Sequence, residues 1–128
     1  MGSEIVRGPL SRFRVLELGS TISGPFCGRL LADFGAEVVK VEDPTGDTLR
    51  SIGKMFHGKS LYAASLFRNK SAVCIDLRKP EGRLLVKRLS EKCDVVIENF
   101  RPGVLEKWGL DYEQLSASNP GLHLTLHR

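Results

Sequence analysis

Residues 15–42 constrain the fold more than any other part of this 128-residue chain. The apolar run 15–18 predicts a short buried strand, and residues 19–25 are typical of a turn. From Phe26 onward the apolar residues recur with the period of an α-helix, and Gly35 suits the position beyond the helix end. The β-branched run 38–41 then predicts a second strand. Strand, turn, helix and strand within about thirty residues form the βαβ unit of a parallel sheet.

The predicted helix has one apolar face, which we expect to pack on the sheet. Arg29 and Asp33 are expected to be exposed on the other side. The expected core residues of this helix are Phe26, Leu30, Leu31 and Phe34. The turn before the helix presents free backbone N–H groups at a helix N-terminus, an arrangement that favours anions.

The rest of the chain continues the alternation of strands and helices. Strands are predicted at residues 72–77, 95–97 and 122–126, and two helical turns at 60–67. A further helix begins at Pro80, with Leu85, Leu89 and Cys93 on its apolar face. The fold class is therefore α/β, a doubly wound and mostly parallel sheet. Residues 1–12 are interpreted as a lead-in and residues 13–128 as one domain.

Composition places the chain among ordinary globular proteins. Hydrophobic residues make up 41% of it and charged residues 27%. The formal net charge of +4 favours acidic partners such as phosphates, but a solvated surface gives the same charge about as often. No apolar run approaches the roughly 18 residues of a membrane span. Cys27, Cys74 and Cys93 are odd in number and lack a CxxC spacing, which is typical of reduced proteins. We expect a cytoplasmic protein, with an organellar matrix as the alternative compartment, and no membrane partner.

Two groups of residues near predicted strand ends are candidates for ligand binding. Arg68, Asn69 and Lys70 precede the third strand, where they form either a polar strand entrance or a phosphate clamp. Asn99 and Phe100 follow the fourth strand. There an amide can hydrogen-bond the edge of a heterocycle and a ring can cover its face. A strand-end turn with an anchoring Phe explains the second group equally well.

The glycine turn differs from a dinucleotide-binding fingerprint. Gly19, Gly24 and Gly28 are spaced by five and four residues, whereas the fingerprint needs spacings of about two and three. Glu42 lies about twenty residues beyond the turn, where a ribose-binding acid would stand. An NAD-type site is therefore a minor alternative.

Metal and nucleic acid are not expected as partners. His123 and His127 lie on one face of a predicted strand but about 13 Å apart along it, too far to share a metal ion. No carboxylate or cysteine stands at ligand spacing. The basic residues are scattered over several elements, without an aromatic-rich recognition motif for nucleic acid.

Short motifs follow one another in a characteristic order from Pro9 to Pro120. They are Leu16-Glu17-Leu18, Gly24-Pro25-Phe26, Leu31-Ala32-Asp33-Phe34-Gly35-Ala36-Glu37-Val38-Val39-Lys40-Val41-Glu42, Asn69-Lys70-Ser71, Ile75-Asp76-Leu77, Pro80-Glu81-Gly82, Asp94-Val95-Val96-Ile97-Glu98-Asn99-Phe100-Arg101-Pro102-Gly103, Leu105-Glu106-Lys107 and Gly109-Leu110-Asp111-Tyr112-Glu113. This ordered set resembles the class III CoA-transferase family, which includes formyl-CoA transferase, the CaiB/BaiF group and α-methylacyl-CoA racemase.

The resemblance implies a Rossmann-like sheet that binds coenzyme A, in an enzyme that moves CoA between an acyl-CoA and a carboxylic acid. The CoA-binding positions that carry over are Thr21, Ile22, Asp43, Lys70, Asn99, Phe100 and Lys107. Asp43 stands where many members have Arg, and Ile22 where some have Gln. Because Asp43 would repel a phosphate, Lys70 and Lys107 are the stronger candidates for phosphate contacts.

The resemblance also implies that catalysis needs residues beyond this chain. The transferases form covalent intermediates on an aspartate and the racemases use a His/Asp pair, in both cases after a glycine-rich loop that follows the fifth strand. We therefore expect an N-terminal CoA-binding part, truncated before the catalytic loop, without catalytic residues or turnover of its own. The full-length family forms interlocked homodimers. The alternatives are a racemase fragment, a stand-alone nucleotide- or CoA-binding module, and an NAD-linked oxidoreductase fragment.

Overall fold

A computed structural model describes residues 8–126 of the protein. Its strands are β1 (Arg14–Glu17), β2 (Glu37–Glu42), β3 (Met55–Phe56), β4 (Lys59–Ser60), β5 (Lys70–Cys74), β6 (Val95–Glu98) and β7 (His123–Leu126). Its helices are α1 (Ser23–Asp33), α2 (Leu61–Leu66), α3 (Pro80–Ser90), α4 (Val104–Trp108) and α5 (Tyr112–Ser118), with a 3-10 turn at Thr48–Ser51. Two parts of the sequence prediction lie outside the described residues. They are His127, which was considered with His123 as a metal ligand, and residues 1–7 of the proposed lead-in.

The main sheet has five parallel strands in the order β5-β2-β1-β6-β7. Val15 of the central strand β1 pairs with Val38 of β2 on one side and with Val95 of β6 on the other. The chain thus builds outward from β1 through β2 and β5, and then adds β6 and β7 on the opposite side. This order confirms the doubly wound α/β fold and places a topological switch point between β1 and β6.

Neighbouring residues of a strand point to opposite faces of the sheet, so apolar side chains lie on both faces. Helices cover each of the two faces. Val15 and Ile97 belong to the core beneath α1, whereas Leu16 and Val96 belong to the core on the other face. The second core is closed by one buried side chain from each of three helices, namely Val86 of α3, Leu105 of α4 and Leu115 of α5.

The face that α1 turns to the sheet is made of small residues, so the expected core face is wrong. The buried residues of α1 are Gly24, Pro25, Gly28 and Ala32. Phe26, Leu30 and Phe34 are exposed, Phe34 to 54%, and only Leu31 of the expected set packs against the core. A β-carbon on Gly28 would lie 1.8 Å from Oε1 of Glu17, a distance that no side chain tolerates. The helix therefore approaches the sheet too closely for its large residues to lie between.

Helix α3 also turns small residues to the sheet, together with one valine. Its buried residues are Gly82, Val86 and Ser90. Leu85, expected in the core, is half exposed. Leu89 and Cys93 are partly buried and pack against the core.

Two local features differ from the sequence prediction. β5 begins at Lys70 and ends at Cys74, whereas residues 72–77 were expected. The β3–β4 hairpin was not expected, although His57 and Gly58, with φ of 49° and 74°, form the left-handed pair of a two-residue hairpin turn. The two helical turns expected at 60–67 are confirmed as α2, where the Ser60 hydroxyl accepts a hydrogen bond from the Ala63 N–H.

Candidate functional site

A cleft opens at the carboxyl edge of the sheet, at the switch point between β1 and β6. Its volume is about 400 Å³, and its walls come from the residues at and after the ends of β1, β2, β5 and β6, with the end of α4. Open α/β sheets bind their ligands in this position because the connections diverge there. This cleft is therefore the candidate site.

One wall of the cleft is apolar and aromatic. The rings of Phe100 and Trp108 meet edge to face, with centroids 5.5 Å apart and an interplanar angle of 75°. The aliphatic residues of the wall are Leu18, Val41, Ile75 and Leu77. Phe100, a predicted site residue, thus lies in the cleft, whereas Trp108 was missed. Such a wall suits the face of a heterocycle.

Arg78 is a cation at the rim of the cleft that sequence reasoning also missed. Its Nε and Nη2 atoms donate to the Asp76 carboxylate at 2.9 and 3.1 Å, and Nη2 lies 3.7 Å from Oδ2 of Asp43. The side chain is 66% exposed, so the guanidinium is held in place yet still accessible. Asp43, a predicted site residue, also lines the cleft. Its pKa is lowered chiefly by the hydroxyl of Thr45, with a smaller contribution from Arg78.

Asn99 holds the turn between β1 and α1. Its Oδ1 accepts the Ser20 N–H at 2.8 Å, and its Nδ2 donates to the Ser20 carbonyl at 2.7 Å and to the Ser23 hydroxyl at 3.1 Å. A β-carbon on Gly19 would lie 2.5 Å from that Oδ1, which explains the glycine. The Asn99 amide donors are therefore already engaged with the turn in this structure.

Thr21 and Ile22, the predicted contacts in this turn, differ in their surroundings. Thr21 has a φ of 66°, a left-handed value that is an outlier for a β-branched residue. Its N–H donates to Asp47 at 3.0 and 3.3 Å, and its hydroxyl lies 3.0 Å from that of Thr48. Ile22 is the N-cap residue of α1 and is exposed.

Four charged side chains are buried beside the turn. They are Glu17, Lys40, Asp47 and Lys70, none more than 2% exposed. Nζ of Lys40 lies 3.0 Å from Oε2 of Glu17 and 2.9 Å from Oδ2 of Asp47. Lys40 also donates to the carbonyl of Gly19 at 2.9 Å. Two carboxylates thus balance two ammonium groups, which offsets much of the desolvation cost of burying them.

Lys70 occupies the start of β5, and its ammonium belongs to this buried group. It donates to Oε1 of Glu17 and, at 2.7 Å, to the carbonyl of Pro25. Burial lowers the pKa of Lys70, and the Glu17 carboxylate opposes that effect. A contact between Lys70 and a CoA phosphate would require the ammonium to leave Glu17. That contact stays a prediction.

The remaining basic candidates lie elsewhere on the surface. Arg68 and Asn69 bind the Asp33 carboxylate of α1, with Arg68 Nη2 at 2.7 Å and Asn69 Nδ2 at 2.8 Å. They join the start of β5 to α1, and the two interpretations of these residues, strand entrance and phosphate clamp, both stay predictions. Lys107 is an exposed residue of the last turn of α4, next in sequence to Trp108.

Residues 8–126 contain no group of three or more His, Cys, Asp or Glu side chains that could hold a metal ion. No helix within that range is long and apolar enough to cross a membrane. Cys27, Cys74 and Cys93 are free thiols, and burial raises the pKa of Cys93 to about 11.

Known proteins that resemble this chain in sequence are CoA-transferases. A family model described as CoA-transferase family III matches residues 10–125. The chain is 56% identical over 124 residues to a succinyl-CoA–D-citramalate CoA-transferase of Chloroflexus aurantiacus, an alignment that covers 95% of this chain and 31% of that protein. It is 48% identical over 122 residues to a succinate–glutarate CoA-transferase of Agrobacterium fabrum, covering 89% of this chain and 30% of that protein.

The fold is shared with a solved structure of a CAIB/BAIF family protein from Brucella suis. The TM-score is 0.87 at 43% identity, and the match covers 94% of this chain and 33% of the other. The chain therefore spans about a third of the length of the relatives it matches. Because the family match extends over nearly the whole sequence, the protein belongs to CoA-transferase family III.

Proposed function

We propose that the cleft binds the nucleotide part of coenzyme A, within an enzyme that transfers CoA between an acyl-CoA and a carboxylic acid. The observation that carries the proposal is the pairing of an aromatic wall, Phe100 and Trp108, with an accessible guanidinium, Arg78, at the same rim. A nucleotide presents an aromatic heterocycle and a phosphate on one molecule, and this cleft offers a partner for each. Family membership supports CoA as that nucleotide.

The other predicted contacts take specific places in this proposal. The β1–α1 turn with Thr21 and Ile22 forms one side of the site, and Asn99 shapes that turn. Lys107 meets a phosphate from the adjacent surface of α4. Asp43 acts by holding Arg78, because a carboxylate repels a phosphate but orients a guanidinium. Lys70 meets a phosphate only if its ammonium leaves Glu17.

Arg78→Gln tests the site directly. Titration calorimetry with CoA should show a loss of affinity of about tenfold, since one charge-assisted hydrogen bond contributes on the order of 1.5 kcal/mol. If Arg78 holds the 3′-phosphate, dephospho-CoA binding stays unchanged, whereas a pyrophosphate contact weakens both ligands. Arg14→Gln is the matched control, because Arg14 also pairs with a carboxylate but lies at the opposite edge of the sheet.

The same titration distinguishes the two basic candidates. Lys70→Ala should reduce CoA affinity only if Lys70 contacts a phosphate, and should otherwise reduce stability alone. The site assignment fails if Arg78→Gln, Lys70→Ala and wild type bind both ligands equally.

We infer further that this 128-residue chain binds CoA without transferring it. Each acidic residue that lines the cleft has its carboxylate engaged: Glu42 with Arg50, Asp43 with Thr45, and Asp47 with Lys40. A nucleophilic carboxylate must be free to attack the acyl carbon. Purified chain should therefore show no exchange of CoA between succinyl-CoA and a free acid, and reproducible exchange would contradict this inference.

Transfer to a dicarboxylic acid is our proposal for the full-length enzyme. Its support is that several of the relatives, among them a succinyl-CoA–L-malate CoA-transferase of Chloroflexus aurantiacus, are named for succinate, malate, citramalate or glutarate. The same relatives favour transfer over the racemase alternative, because their names describe CoA-transferases. Exchange assays with succinyl-CoA and these four acids, beside a racemisation assay, test both choices.

A homodimer and a location in the cytoplasm or an organellar matrix complete the proposal. The family resemblance supports the dimer, and the free thiols fit a reducing compartment. Light scattering on the full-length enzyme tests the first, and fractionation of the source cells tests the second.

A further inference from the structure

We propose that Asp47, acting together with Lys40, is a positioning residue that holds the β1–α1 turn in the conformation that CoA meets. The choice of CoA as ligand rests on the proposed function. The contacts that hold the turn do not.

The two sides of the cleft are joined beneath it by these charges. Asp47 belongs to the loop after β2, where its Oδ1 also accepts the Leu49 N–H at 2.9 Å. The same carboxylate accepts the N–H of Thr21 from the opposite side. Lys40 binds Asp47 and reaches the carbonyl of Gly19, at the other end of the turn. The separation of the two walls is therefore fixed by a buried ion pair.

The turn needs such a restraint because its backbone is strained. A β-branched residue at a φ of 66° is disfavoured, and such conformations persist only where the surrounding structure imposes them. Asn99 restrains the neighbouring residue Ser20, but the N–H of Thr21 itself is held by Asp47. Removing that acceptor should let the turn relax toward an ordinary negative φ.

Asp47 acts through its neighbours rather than on the ligand. Its side chain is 1% exposed, and its two oxygens are occupied by Lys40 and by backbone N–H groups. A substitution here that changes CoA affinity must therefore work by moving the turn or by destabilising the whole fold. The experiment has to separate those two causes.

Three variants achieve the separation. Asp47→Asn keeps one side-chain oxygen, so either Lys40 or the N–H groups of Thr21 and Leu49 lose their acceptor. The variant should weaken CoA binding about tenfold, because strain of this kind corresponds to about one order of magnitude in an equilibrium constant. The double variant Thr21→Gly/Asp47→Asn should recover most of the affinity, because glycine adopts a positive φ without strain. Glu37→Gln is the control, since it breaks an exposed ion pair with Arg14 at the far edge of the sheet.

Amide hydrogen exchange supplies a readout that needs no ligand. Asp47→Asn should accelerate exchange at residues 19–22 while the core strands keep their protection. If wild type binds no CoA, the proposed function fails, and this measurement still decides whether Asp47 holds the turn. Unchanged exchange at these residues, or a double variant that binds no better than Asp47→Asn, overturns the inference.

Thr21→Pro covers the case in which Asp47→Asn does not fold. Proline fixes φ near −65° and removes the N–H, while every buried charge stays in place. The same loss of CoA affinity is expected from a folded Thr21→Pro protein. Wild-type affinity in that variant would show that the conformation of the turn is irrelevant.

Discussion

Glu42 is a nearly buried carboxylate that Arg50 keeps ionised. Nε of Arg50 lies 2.8 Å from Oε2 of Glu42, and Nη2 of the same residue binds Oε1. These hydrogen bonds are the largest cause of the lowered pKa of Glu42, with a smaller part from the backbone N–H of Asp47. The pair therefore links the loop after β2 to the end of that strand through a charge that depends on pH.

The lowered pKa predicts how stability changes in acid. The folded-state pKa of Glu42 lies below its ordinary value of 4.5, so its contribution is complete above that pH and is lost as the pH falls through the folded-state pKa. Glu42→Gln should cost roughly 1–2 kcal/mol at neutral pH, less than a fully buried pair because Arg50 is half exposed.

Urea denaturation between pH 7 and about pH 3 measures this dependence. The difference between wild type and Glu42→Gln should shrink below pH 4.5. Glu113→Gln, at a helical residue outside the cleft, is the control for the loss of a carboxylate as such. A constant difference for Glu42→Gln would contradict the role of Arg50.

Lys70 and Arg78 show which part of the site the sequence could reveal. Both are basic residues near the third strand of the sheet, but Lys70 begins the strand and Arg78 follows it. Ligands meet the carboxyl ends of parallel strands, so the position after the strand was the better indication. The burial of Lys70 could not be inferred, because it depends on Glu17, which lies 53 residues away in the sequence.

At the scale of elements, α1 shows why a correctly predicted helix can be given the wrong face. Apolar periodicity located the helix, since Phe26, Leu30 and Phe34 do share one side. The sheet, however, must accommodate buried charges beneath α1, and Gly28 is the residue that leaves room for Glu17. Size at the contact, rather than hydrophobicity, decides which side faces inward here.

This packing reverses two expectations for stability. Gly28→Ala would stabilise an open helix by about 0.5–1 kcal/mol, but here the new methyl group collides with a buried carboxylate. We expect a loss of about 1–3 kcal/mol or more. Phe34→Ala, at an exposed position, should cost less than about 1 kcal/mol.

Denaturant titration of both variants provides the measurement. A Gly28→Ala protein as stable as wild type would show that α1 lies farther from the sheet. A loss of several kcal/mol in Phe34→Ala would place that ring in the core, as the apolar pattern suggested.

Strand positions were easier to predict than strand ends. Four of the strands, β1, β2, β6 and β7, coincide with apolar or β-branched runs, which can be recognised directly in the sequence. β5 is an edge strand with mostly exposed residues, so its limits are set by pairing with β2 rather than by its own composition. The short β3–β4 hairpin is fixed by the turn at His57 and Gly58, a pattern too brief to stand out.

At the scale of the whole molecule, the site depends on strands that are far apart in sequence. β1 pairs with β2 within one βαβ unit, but its pairing with β6 joins residues 80 positions apart, as in the bond from the Arg14 N–H to Asp94. Phe100 enters the cleft, and Asn99 reaches the β1–α1 turn, only through that second pairing. The order of the strands therefore decides where the cleft lies. It also means that the cleft is complete only after β6 has paired with β1.

The central position of β1 has a consequence for the time course of folding. Long-range pairing carries a larger loop-closure cost than local pairing, so β1–β6 contacts should form after the β1–α1–β2 unit. Trp108, the single tryptophan of the chain, lines the cleft on the β6 side and reports that late event. After dilution from urea, far-ultraviolet circular dichroism should recover first, and tryptophan fluorescence should follow with a slower rate constant. Identical rate constants for both signals would mean that the sheet and its cleft assemble in one step.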